Sequence, residues 1–335
     1  MPELPPIIRA LMDGEAYPEK PHRVDLVQTQ MSFVFLTGSF AYKIKKPLDF
    51  GYADFTTLEK RRFFCEREVE LNRRLSPTVY LGVVPITESK GRFAVGGPGS
   101  TVEYAVKMRQ LPMERCLSRL LARGTVTPEM IEQVARKIAD FHARSKGDGE
   151  IAAYGSVPIV RRNTEENFNQ TAKYIGITLS REAFDTIRGY AHQFLESNAA
   201  LFERRVKNGR IKDCHGDLHS EHVVFGDDIY IFDCIEFNDR FRYADVAAEI
   251  AFLAMDIDFH ERPDLSDRFV QAYIEISGDT EIMALLDFYK CYLAYVRGKV
   301  ESFELDDPNI PDVEKMVALD AAKSYFWLAK RYALG

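Results

Sequence analysis

Two aspartates flank a short β-rich segment near the middle of the chain. Asp217 lies in the motif HGDLH, two short runs of β-branched and aromatic residues follow it, and Asp233 closes the second run. The Gly-Asp-Asp turn at 226–228 predicts a β-hairpin between the runs, and a hairpin brings residues distant in sequence together. One carboxylate of such a pair can accept the proton of an attacking hydroxyl, while the other can hold the Mg²⁺ that neutralises phosphate oxygens. The two aspartates therefore indicate phosphoryl transfer.

The elements that position these aspartates divide into a sheet-rich first part and a helical remainder. Residues 24–46 are rich in β-branched and aromatic residues and predict two or three antiparallel strands, and strand-like runs recur at 80–87 and 103–111. A charged helical pattern covers 56–75. After these strands helical spacing predominates, and we expect helices at 128–144, 181–206, 243–256, 281–303 and 312–333.

The composition excludes several classes of protein. The formal net charge is −7 over 335 residues, and no block of basic residues suggests a nucleic-acid partner. Five scattered cysteines without a CxxC pair indicate neither a disulfide framework nor a zinc site. No run reaches the roughly 18 apolar residues of a membrane span, and the first residues lack the pattern of a signal peptide. We therefore expect a cytoplasmic protein with neither a membrane nor a nucleic-acid partner.

Three stretches of the sequence carry a resemblance to a known superfamily: AYKIKKPLDFG with EKRRFFCEREVELNRRL, then CHGDLHSEHV, then IFDCIEFNDRFRYADVAAEIAFLAMD. They resemble the catalytic segments of the aminoglycoside phosphotransferase and choline kinase superfamily, whose enzymes are relatives of the protein kinases. The resemblance is closest to a bacterial group of uncharacterised aminoglycoside-phosphotransferase-like proteins. Members of that group often carry a C-terminal P-loop kinase domain, which we expect to be lacking here because the sequence contains no GxxxxGK[ST] motif.

The resemblance implies a role for five residues of the site. Lys43 matches the strand lysine that grips the α- and β-phosphates of the nucleotide, and Glu68 matches the helix glutamate that pairs with that lysine. Asp217 matches the catalytic aspartate, and Asp233 matches the aspartate that binds the metal. Asp245 matches a buried aspartate that braces the catalytic loop. These roles are expectations for this chain.

Other expected contacts surround the nucleotide. The stretch 106–111, with Met108 and Gln110, matches the hinge that hydrogen-bonds the adenine. The first hairpin lacks a glycine-rich loop, so Thr29 and Ser32 are expected to offer hydroxyls and backbone N–H groups to the phosphates. His215 is expected to brace the catalytic loop through hydrogen bonds, and contacts to the substrate are expected from His219, Glu236 and Arg297.

His222 departs from the pattern of the superfamily. The fifth position after the catalytic aspartate is normally an asparagine that coordinates a second metal ion, and here it is His222. Because an imidazole is a poor ligand for Mg²⁺ and suits transition metals better, His222 disfavours the binding of a second Mg²⁺ ion, and Mn²⁺ is an alternative. We keep His222, with Asp233, as an expected metal ligand.

Two assignments have neighbours that compete for the same role. Lys45 lies on the same strand face as Lys43, because side chains two residues apart point the same way in a strand. Glu66 and Glu70 share the charged helix with Glu68.

The sequence therefore predicts an α+β, two-lobed, protein-kinase-like fold. Residues 1–110 would form an N-terminal lobe with an antiparallel sheet and one helix, and residues 111–335 a mostly helical C-terminal lobe. The expected activity is transfer of the γ-phosphoryl group of ATP, with Mg²⁺, to a hydroxyl of a small molecule, since the segment 146–210 resembles the helical substrate insertion of small-molecule kinases. A protein kinase and a catalytically weak nucleotide-binding regulatory protein are the alternatives.

Overall fold

The computed structural model describes residues 4–308 and 310–335, so residues 1–3 of the expected first lobe and residue 309 of the expected second lobe lie outside the described residues. The chain forms two compact units. The first unit consists of the chain up to Arg115 together with His222–Asp239, and the second consists of Cys116–Glu221 with Arg240–Gly335. The units thus divide the chain later than residue 110, and the segment that contains the predicted hairpin belongs to the first unit.

The first unit contains one antiparallel sheet in the order β1-β2-β3-β6-β4-β5. Its strands are β1 Asp25–Gln28, β2 Ser32–Leu36, β3 Phe40–Lys45, β4 Tyr80–Ser89, β5 Arg92–Val95 and β6 Ser100–Arg109. Strand β5 was not among the predicted strands, and it pairs with β4 in a tight hairpin. Its sequence, RFAV, is too short to show an alternating pattern, so pairing rather than periodicity reveals it.

One face of this sheet is apolar because the strands alternate. Phe33 and Phe35 on β2, and Tyr42 and Ile44 on β3, point into a core that also buries Ile8 of the short helix α1, Pro6–Ala10. The turn between β2 and β3 is closed by the N–H of Thr37, which donates to the carbonyl of Phe40 at 2.9 Å. The sheet therefore holds β3 in a fixed register beside its neighbours.

Helix α2, Leu58–Asn72, is the charged helix that the sequence predicts. The hydroxyl of Thr57 caps its start by accepting from the N–H of Lys60 at 3.2 Å. Most of its charged side chains are exposed, but Glu68 and Asn72, four residues apart and so on one helix face, are buried. Two polar groups on the inner face of a charged helix require partners, and they supply one wall of the site described below.

The predicted hairpin is confirmed. Strands β8, Val223–Phe225, and β9, Ile229–Ile231, pair antiparallel across the 226–228 turn. The hydroxyl of Ser76, in the loop after α2, donates to the carbonyl of Ile231 at 2.7 Å and accepts from its N–H at 2.9 Å. These two bonds fix the end of β9 beside the end of α2, and Asp233 follows two residues later.

The second unit is mostly helical, with one short strand pair formed by β7, Ile211–Asp213, and β10, Tyr243–Asp245. The central helix α9, Val246–Phe259, is apolar on nearly all sides and almost entirely buried. The helices of the second unit are α3 Leu117–Ala122, α4 Pro128–Arg144, α5 Val157–Thr171, α6 Arg181–Ser197, α7 Ala199–Lys207, α9, α10 Pro263–Ser277, α11 Leu286–Glu304 and α12 Asp312–Leu334. In the sequence, the short helix α8, Asp239–Arg242, connects the last segment of the first unit to the second unit.

Three predicted helices of this unit are wrong in their extent. The helix expected at 181–206 is interrupted at Asn198, which leaves helical geometry and separates α6 from α7. The pattern at 243–256 begins with strand β10, because the first residues pair with β7 before α9 begins. The pattern at 281–303 begins with a 3₁₀ turn before α11. Helices α3, α5, α8 and α10 were not predicted.

Among residues 4–308 and 310–335, no helix combines the length and the apolar character that crossing a membrane requires.

Candidate active site

Two lysines of strand β3 converge on one buried glutamate of helix α2. The ammonium of Lys43 lies 3.0 Å from Oε1 of Glu68, and the ammonium of Lys45 lies 2.7 Å from Oε2 of the same carboxylate. The two lysines share a strand face, as the sequence predicts, so both reach α2. They are therefore partners of one carboxylate, where the sequence had left them as alternatives.

The competing helix glutamates lie on the surface. Glu66 forms an ion pair with Arg62, and Glu70 forms one with Arg67, each within a turn of α2. Only Glu68 of these three glutamates is buried. The helix therefore presents a single carboxylate to β3.

Each lysine has a second carboxylate partner in the segment after β9. The ammonium of Lys43 donates to Oδ1 of Asp233 at 2.5 Å, and that of Lys45 donates to Oε1 of Glu236. The ammonium of Lys45 also lies 5.1 Å from the centre of the Phe55 ring, and Lys45 is buried. The first unit thus contains a cluster of two cations and three carboxylates, and in it Glu236 contacts Lys45.

The pKa values of the cluster follow from its mutual charges. Burial lowers the pKa of Lys43, but the carboxylates of Asp233 and Glu68 outweigh burial and hold that pKa well above its usual value. The same balance, with Glu236 as the stronger partner, raises the pKa of Lys45. Burial alone would raise the pKa of Glu68, yet the two lysines lower it. Both lysines and Glu68 are therefore charged at neutral pH.

The backbone holds Asp233 in an uncommon conformation. Its φ is +63°, in the left-handed region that only a minority of non-glycine residues occupy. Its N–H donates to the buried hydroxyl of Tyr80 at 3.1 Å, and the next N–H, of Cys234, donates to Oδ1 of Asn72 at 2.8 Å. These contacts from β4 and α2 fix the backbone, while 40% of the Asp233 side chain remains exposed to solvent. A strained, well-held and accessible carboxylate is typical of a functional position.

His222 faces the second oxygen of the Asp233 carboxylate. Nε2 of His222 lies 3.8 Å from Oδ2 of Asp233, and the carbonyl of His222 accepts from the N–H of Phe232 at 3.1 Å. A carboxylate oxygen beside an imidazole nitrogen suits a divalent cation, with Mn²⁺ favoured over Mg²⁺ by the nitrogen ligand. Mg²⁺ would be held chiefly by the Asp233 carboxylate, with water and phosphate oxygens as its other ligands. The donor set therefore fits one divalent ion, and the ligand role of His222 stays a prediction.

The residues expected around the nucleotide occupy the ends of strands. The N–H of Ser32 donates to Oγ1 of Thr29 at 3.0 Å across the turn between β1 and β2, and Ser32 is fully buried. Met108 lies in β6 and is buried. The side-chain carbonyl of Gln110 accepts from the N–H of Gly38 at 2.9 Å and ties the β2–β3 turn to the end of β6. Ser32 and the side-chain carbonyl of Gln110 thus form hydrogen bonds within the turns of the sheet. The nucleotide contacts of all four residues remain predictions.

In the second unit, the loop that carries Asp217 is pinned by carboxylates of α9. The N–H of His215 donates to both oxygens of Glu249 at 2.8 and 3.0 Å, and the N–H of Ser220 donates to Oδ2 of Asp256 at 2.8 Å. Between these anchors, the N–H of Asp217 donates to Nδ1 of His215 at 3.3 Å. The loop is therefore held at both ends and in its middle.

Glu249 and Asp256 were not predicted as site residues. Their signal in the sequence is a pair of acidic residues two turns apart in a helix that is apolar apart from these two and Asp258, because a buried carboxylate requires partners. His142 of α4 lies 3.1 Å from Glu249 through Nε2 and 2.8 Å from the hydroxyl of Tyr273 through Nδ1. Burial would raise the pKa of Glu249, but its hydrogen bond to His142 lowers it. This buried group braces the loop through hydrogen bonds.

Asp245 has other contacts than the expected ones. Its carboxylate forms a bidentate pair with the buried guanidinium of Arg205, at 2.9 and 2.6 Å, and it caps α9 by accepting from the N–H of Ala247 at 2.9 Å. Arg205 also contacts Asp279. Asp245 is buried as expected, but its bonds join α7 to the start of α9, and the loop itself is braced by Glu249 and Asp256.

The side chains around Asp217 combine charge with burial. Nε2 of His219 lies 3.6 Å from Oδ2 of Asp217, and His219 is buried while about a third of the Asp217 side chain is exposed, 34%. Burial lowers the pKa of His219, but the charge of Asp217 outweighs it and raises that pKa. On α11, Nη2 of Arg297 donates to Oε1 of Glu301 at 2.9 Å. A carboxylate that is partly open and lies beside an imidazole can orient a hydroxyl and accept its proton.

Lys45→Met is expected to lower the free energy of unfolding by about 3–5 kcal/mol, because it leaves Glu236 buried without its cation. Urea unfolding followed by circular dichroism measures the change. Lys60→Met, which removes a surface ion pair with Asp54 on the same unit, is the matched control and should stay near wild type. The double variant Lys45→Met/Glu236→Gln should recover part of the loss. Equal losses for Lys45→Met and the control would contradict the buried cluster.

His219→Gln is expected to have an effect on stability that depends on pH. The folded state raises the pKa of His219, so the stabilising contact is fully present below the unfolded value of about 6.5 and is lost as the pH rises through the folded value. Urea unfolding should therefore show a larger difference from wild type at about pH 6 than at about pH 9. His22→Gln, at an exposed histidine, is the control. A difference that is constant across this range would refute the pairing of His219 with Asp217.

Comparison with known proteins connects this geometry to a family. Residues 104–291 match the phosphotransferase enzyme family. Uncharacterised proteins of Mycobacterium tuberculosis and Mycobacterium bovis are 34% identical over 279 residues, which are 83% of this chain and 54% of theirs. The chain thus spans about half the length of the curated relatives it matches.

Solved structures share the fold at low sequence identity. A choline kinase from Cryptosporidium parvum Iowa II superposes with a TM-score of 0.55 at 11% identity, covering 97% of this chain and 94% of its own. The GDP complex of aminoglycoside 2'-phosphotransferase-IIIa gives 0.53 at 12% identity, with 92% and 93% covered. A choline/ethanolamine kinase family protein from Mesorhizobium loti gives 0.52 at 12% identity, with 95% and 96% covered. These similarities confirm the predicted α+β, kinase-like fold.

Proposed function

Because the chain belongs to the phosphotransferase enzyme family, as the match over residues 104–291 shows, we propose that it transfers the γ-phosphoryl group of ATP to a hydroxyl of a small molecule. The observation that carries the proposal is the cluster in the first unit, where Lys43 bridges Glu68 and Asp233. A charged lysine, its fixed glutamate and an accessible carboxylate are the groups that phosphoryl transfer requires around phosphates and metal.

The first unit supplies the groups for nucleotide and metal. Lys43 would donate to phosphate oxygens, and Glu68 would keep its ammonium in place because that carboxylate is buried on a rigid helix. Asp233, with His222 beside it, would hold the divalent ion. When bound, the metal supplies charge neutralisation for the phosphate oxygens. Lys45 joins Glu68 to Glu236, and these ion pairs fix Glu68 and the segment after Asp233.

The second unit supplies the base. Asp217 would orient the acceptor hydroxyl and take its proton, and the bonds from Glu249 and Asp256 hold its loop before substrate arrives. Such preorganisation lowers the entropic cost of reaching the transition state. His219 would keep the Asp217 carboxylate oriented through the contact of 3.6 Å.

A small-molecule acceptor is supported by the fold and by the helices of the second unit. The chain shares its fold with a choline kinase and an aminoglycoside phosphotransferase. The segment 146–210, where we expected the substrate insertion, contains α5, α6 and α7. Fold alone does not name a substrate, so amino alcohols, sugars, nucleosides and aminoglycosides form the first panel of acceptors. His222 favours one alternative, a protein that binds nucleotide with little turnover.

A thermal-shift titration tests the proposal. The 335-residue protein is heated with ATP or GTP, each with no metal, with Mg²⁺ or with Mn²⁺, and with each metal alone. A ligand that binds only the folded state, at 100 times its Kd, adds about 2.7 kcal/mol. We expect a shift that requires both nucleotide and metal, followed by nucleotide turnover with a member of the acceptor panel. A shift without turnover would favour the regulatory alternative, and no shift with any nucleotide would refute the proposal.

A further inference from the structure

The last helix of the second unit carries an apolar outer face. Helix α12 packs its inner side into the core through residues such as Ala322 and Phe326. On the opposite side, five large apolar side chains are each between 60% and 74% exposed: Val313, Met316, Val317, Trp327 and Leu334. Scattered exposed apolar residues need no explanation, but several large ones on the outer side of one helix mark an interaction surface.

The row has the spacing of a coiled-coil seam. Positions 313, 316, 320, 323, 327, 330 and 334 alternate steps of three and four residues over the whole helix. Val313 and Met316 occupy one end of this seam, Trp327 and Leu334 the other, and Asp320 and Lys323 its centre. Lys330, which pairs with Glu182, lies between Trp327 and Leu334, and Val317 lies beside the seam. Both central side chains are exposed, and within the described part of the chain neither makes an ion pair. The centre of the seam is therefore available to a charged partner of matching pattern.

The pattern of the seam is complementary to itself. In an antiparallel pair of identical helices, the residue numbers of two facing positions add up to the same total all along the seam. With Asp320 opposite the partner's Lys323, the same register places Met316 opposite the partner's Trp327 and Val313 opposite the partner's Lys330. Two-fold symmetry repeats each contact, so two central ion pairs are flanked on each side by one apolar layer, in which Met316 faces Trp327. We propose that a second copy of this chain docks on α12 in this antiparallel register.

The charges at the centre of the seam indicate which partner helix fits it. A partner of another sequence would need an apolar row with opposite charges in reversed order, and α12 itself provides that pattern. The helix has 23 residues and is about 34 Å long, so one pair of helices offers a contact at the small end of stable interfaces. The dimer is accordingly in equilibrium with its monomer and depends on protein concentration.

The fluorescence of Trp327 reports on the exposure of this surface to water, because Trp327 is the only tryptophan in the chain. Sedimentation velocity over a wide concentration range should show conversion of monomer to dimer. Over the same range the tryptophan emission should move to shorter wavelength as Trp327 leaves water. A monomer at every concentration would overturn the proposal, including the case in which another segment or another protein covers this face.

Charge variants test the register. Asp320→Lys places like charges opposite each other twice and is expected to raise the Kd of the dimer at least about tenfold. Asp320→Lys/Lys323→Asp restores opposite charges in the proposed register and should return the Kd to near wild type. Met316→Glu should also weaken the dimer, whereas Met283→Glu, at an exposed methionine outside α12, should leave it unchanged. A double variant no better than Asp320→Lys would refute this register, and equal effects of the two methionine variants would refute this surface.

Discussion

Asp217→Asn is expected to lower turnover by about 10²–10⁴-fold while nucleotide binding stays close to wild type. An amide keeps the shape of the side chain but cannot accept the proton of the acceptor hydroxyl. The bonds that hold the loop come from backbone N–H groups to His215, Glu249 and Asp256, so the fold should be retained. Turnover with the best acceptor of the panel, or slow hydrolysis with water as acceptor, gives the rate, and the thermal shift gives the binding.

A matched control for this variant lies in the hairpin turn. Asp228 is an exposed aspartate, and its substitution by asparagine should leave both turnover and the nucleotide shift unchanged. If Asp217→Asn keeps full turnover, Asp217 is not the base. If instead it loses the nucleotide shift together with turnover, the residue acts in binding, and the assignment of roles to the two aspartates is wrong.

Asp233→Asn is expected to abolish the metal-dependent part of nucleotide binding. The variant removes the charge that a divalent ion requires and leaves a neutral amide oxygen beside His222. At a nucleotide concentration of 100 times the wild-type Kd, the shift worth about 2.7 kcal/mol should disappear with either metal. Titration of Mn²⁺ alone, followed by its paramagnetic effect on water, should show the same loss without nucleotide.

Stability must be measured beside binding for this variant, because Asp233 also pairs with Lys43. Glu68 remains as a buried partner of the lysine, so the protein should still fold, with a lower free energy of unfolding. Asp233→Glu keeps the charge and moves it by one methylene; it should retain more metal binding than Asp233→Asn. A metal-dependent shift of wild-type size in Asp233→Asn would show that the ion binds elsewhere.

The residue types of the site, and the reaction that they suggest, could be predicted from the sequence, but most of the contacts between these residues could not. Lys43, Glu68, Asp217 and Asp233 stand in motifs whose order and residue types point to phosphoryl transfer. The sharing of Glu68 between two lysines could not be predicted, because strand periodicity gives only the face on which each lysine lies.

The braces of the Asp217 loop show the same limit. Asp245 fitted the pattern of a bracing aspartate, but it binds Arg205, and Glu249 and Asp256 take the loop N–H groups. All three carboxylates belong to one short stretch of sequence. Which of them meets the loop depends on the rotation of α9 in the core, and this rotation is set by packing against other helices.

The sequence by itself determined local structure wherever the stabilising hydrogen bonds join residues only a few positions apart. The 226–228 hairpin and the start of α2 at Thr57 are of this kind, since turn residues and caps satisfy their neighbours' backbone groups. The tertiary structure decided the pairing of Lys45 with Glu68, 23 residues away, and with Glu236, 191 residues away. Buried charges accept only partners that the packed core brings within contact, and a core forms from residues far apart in the chain.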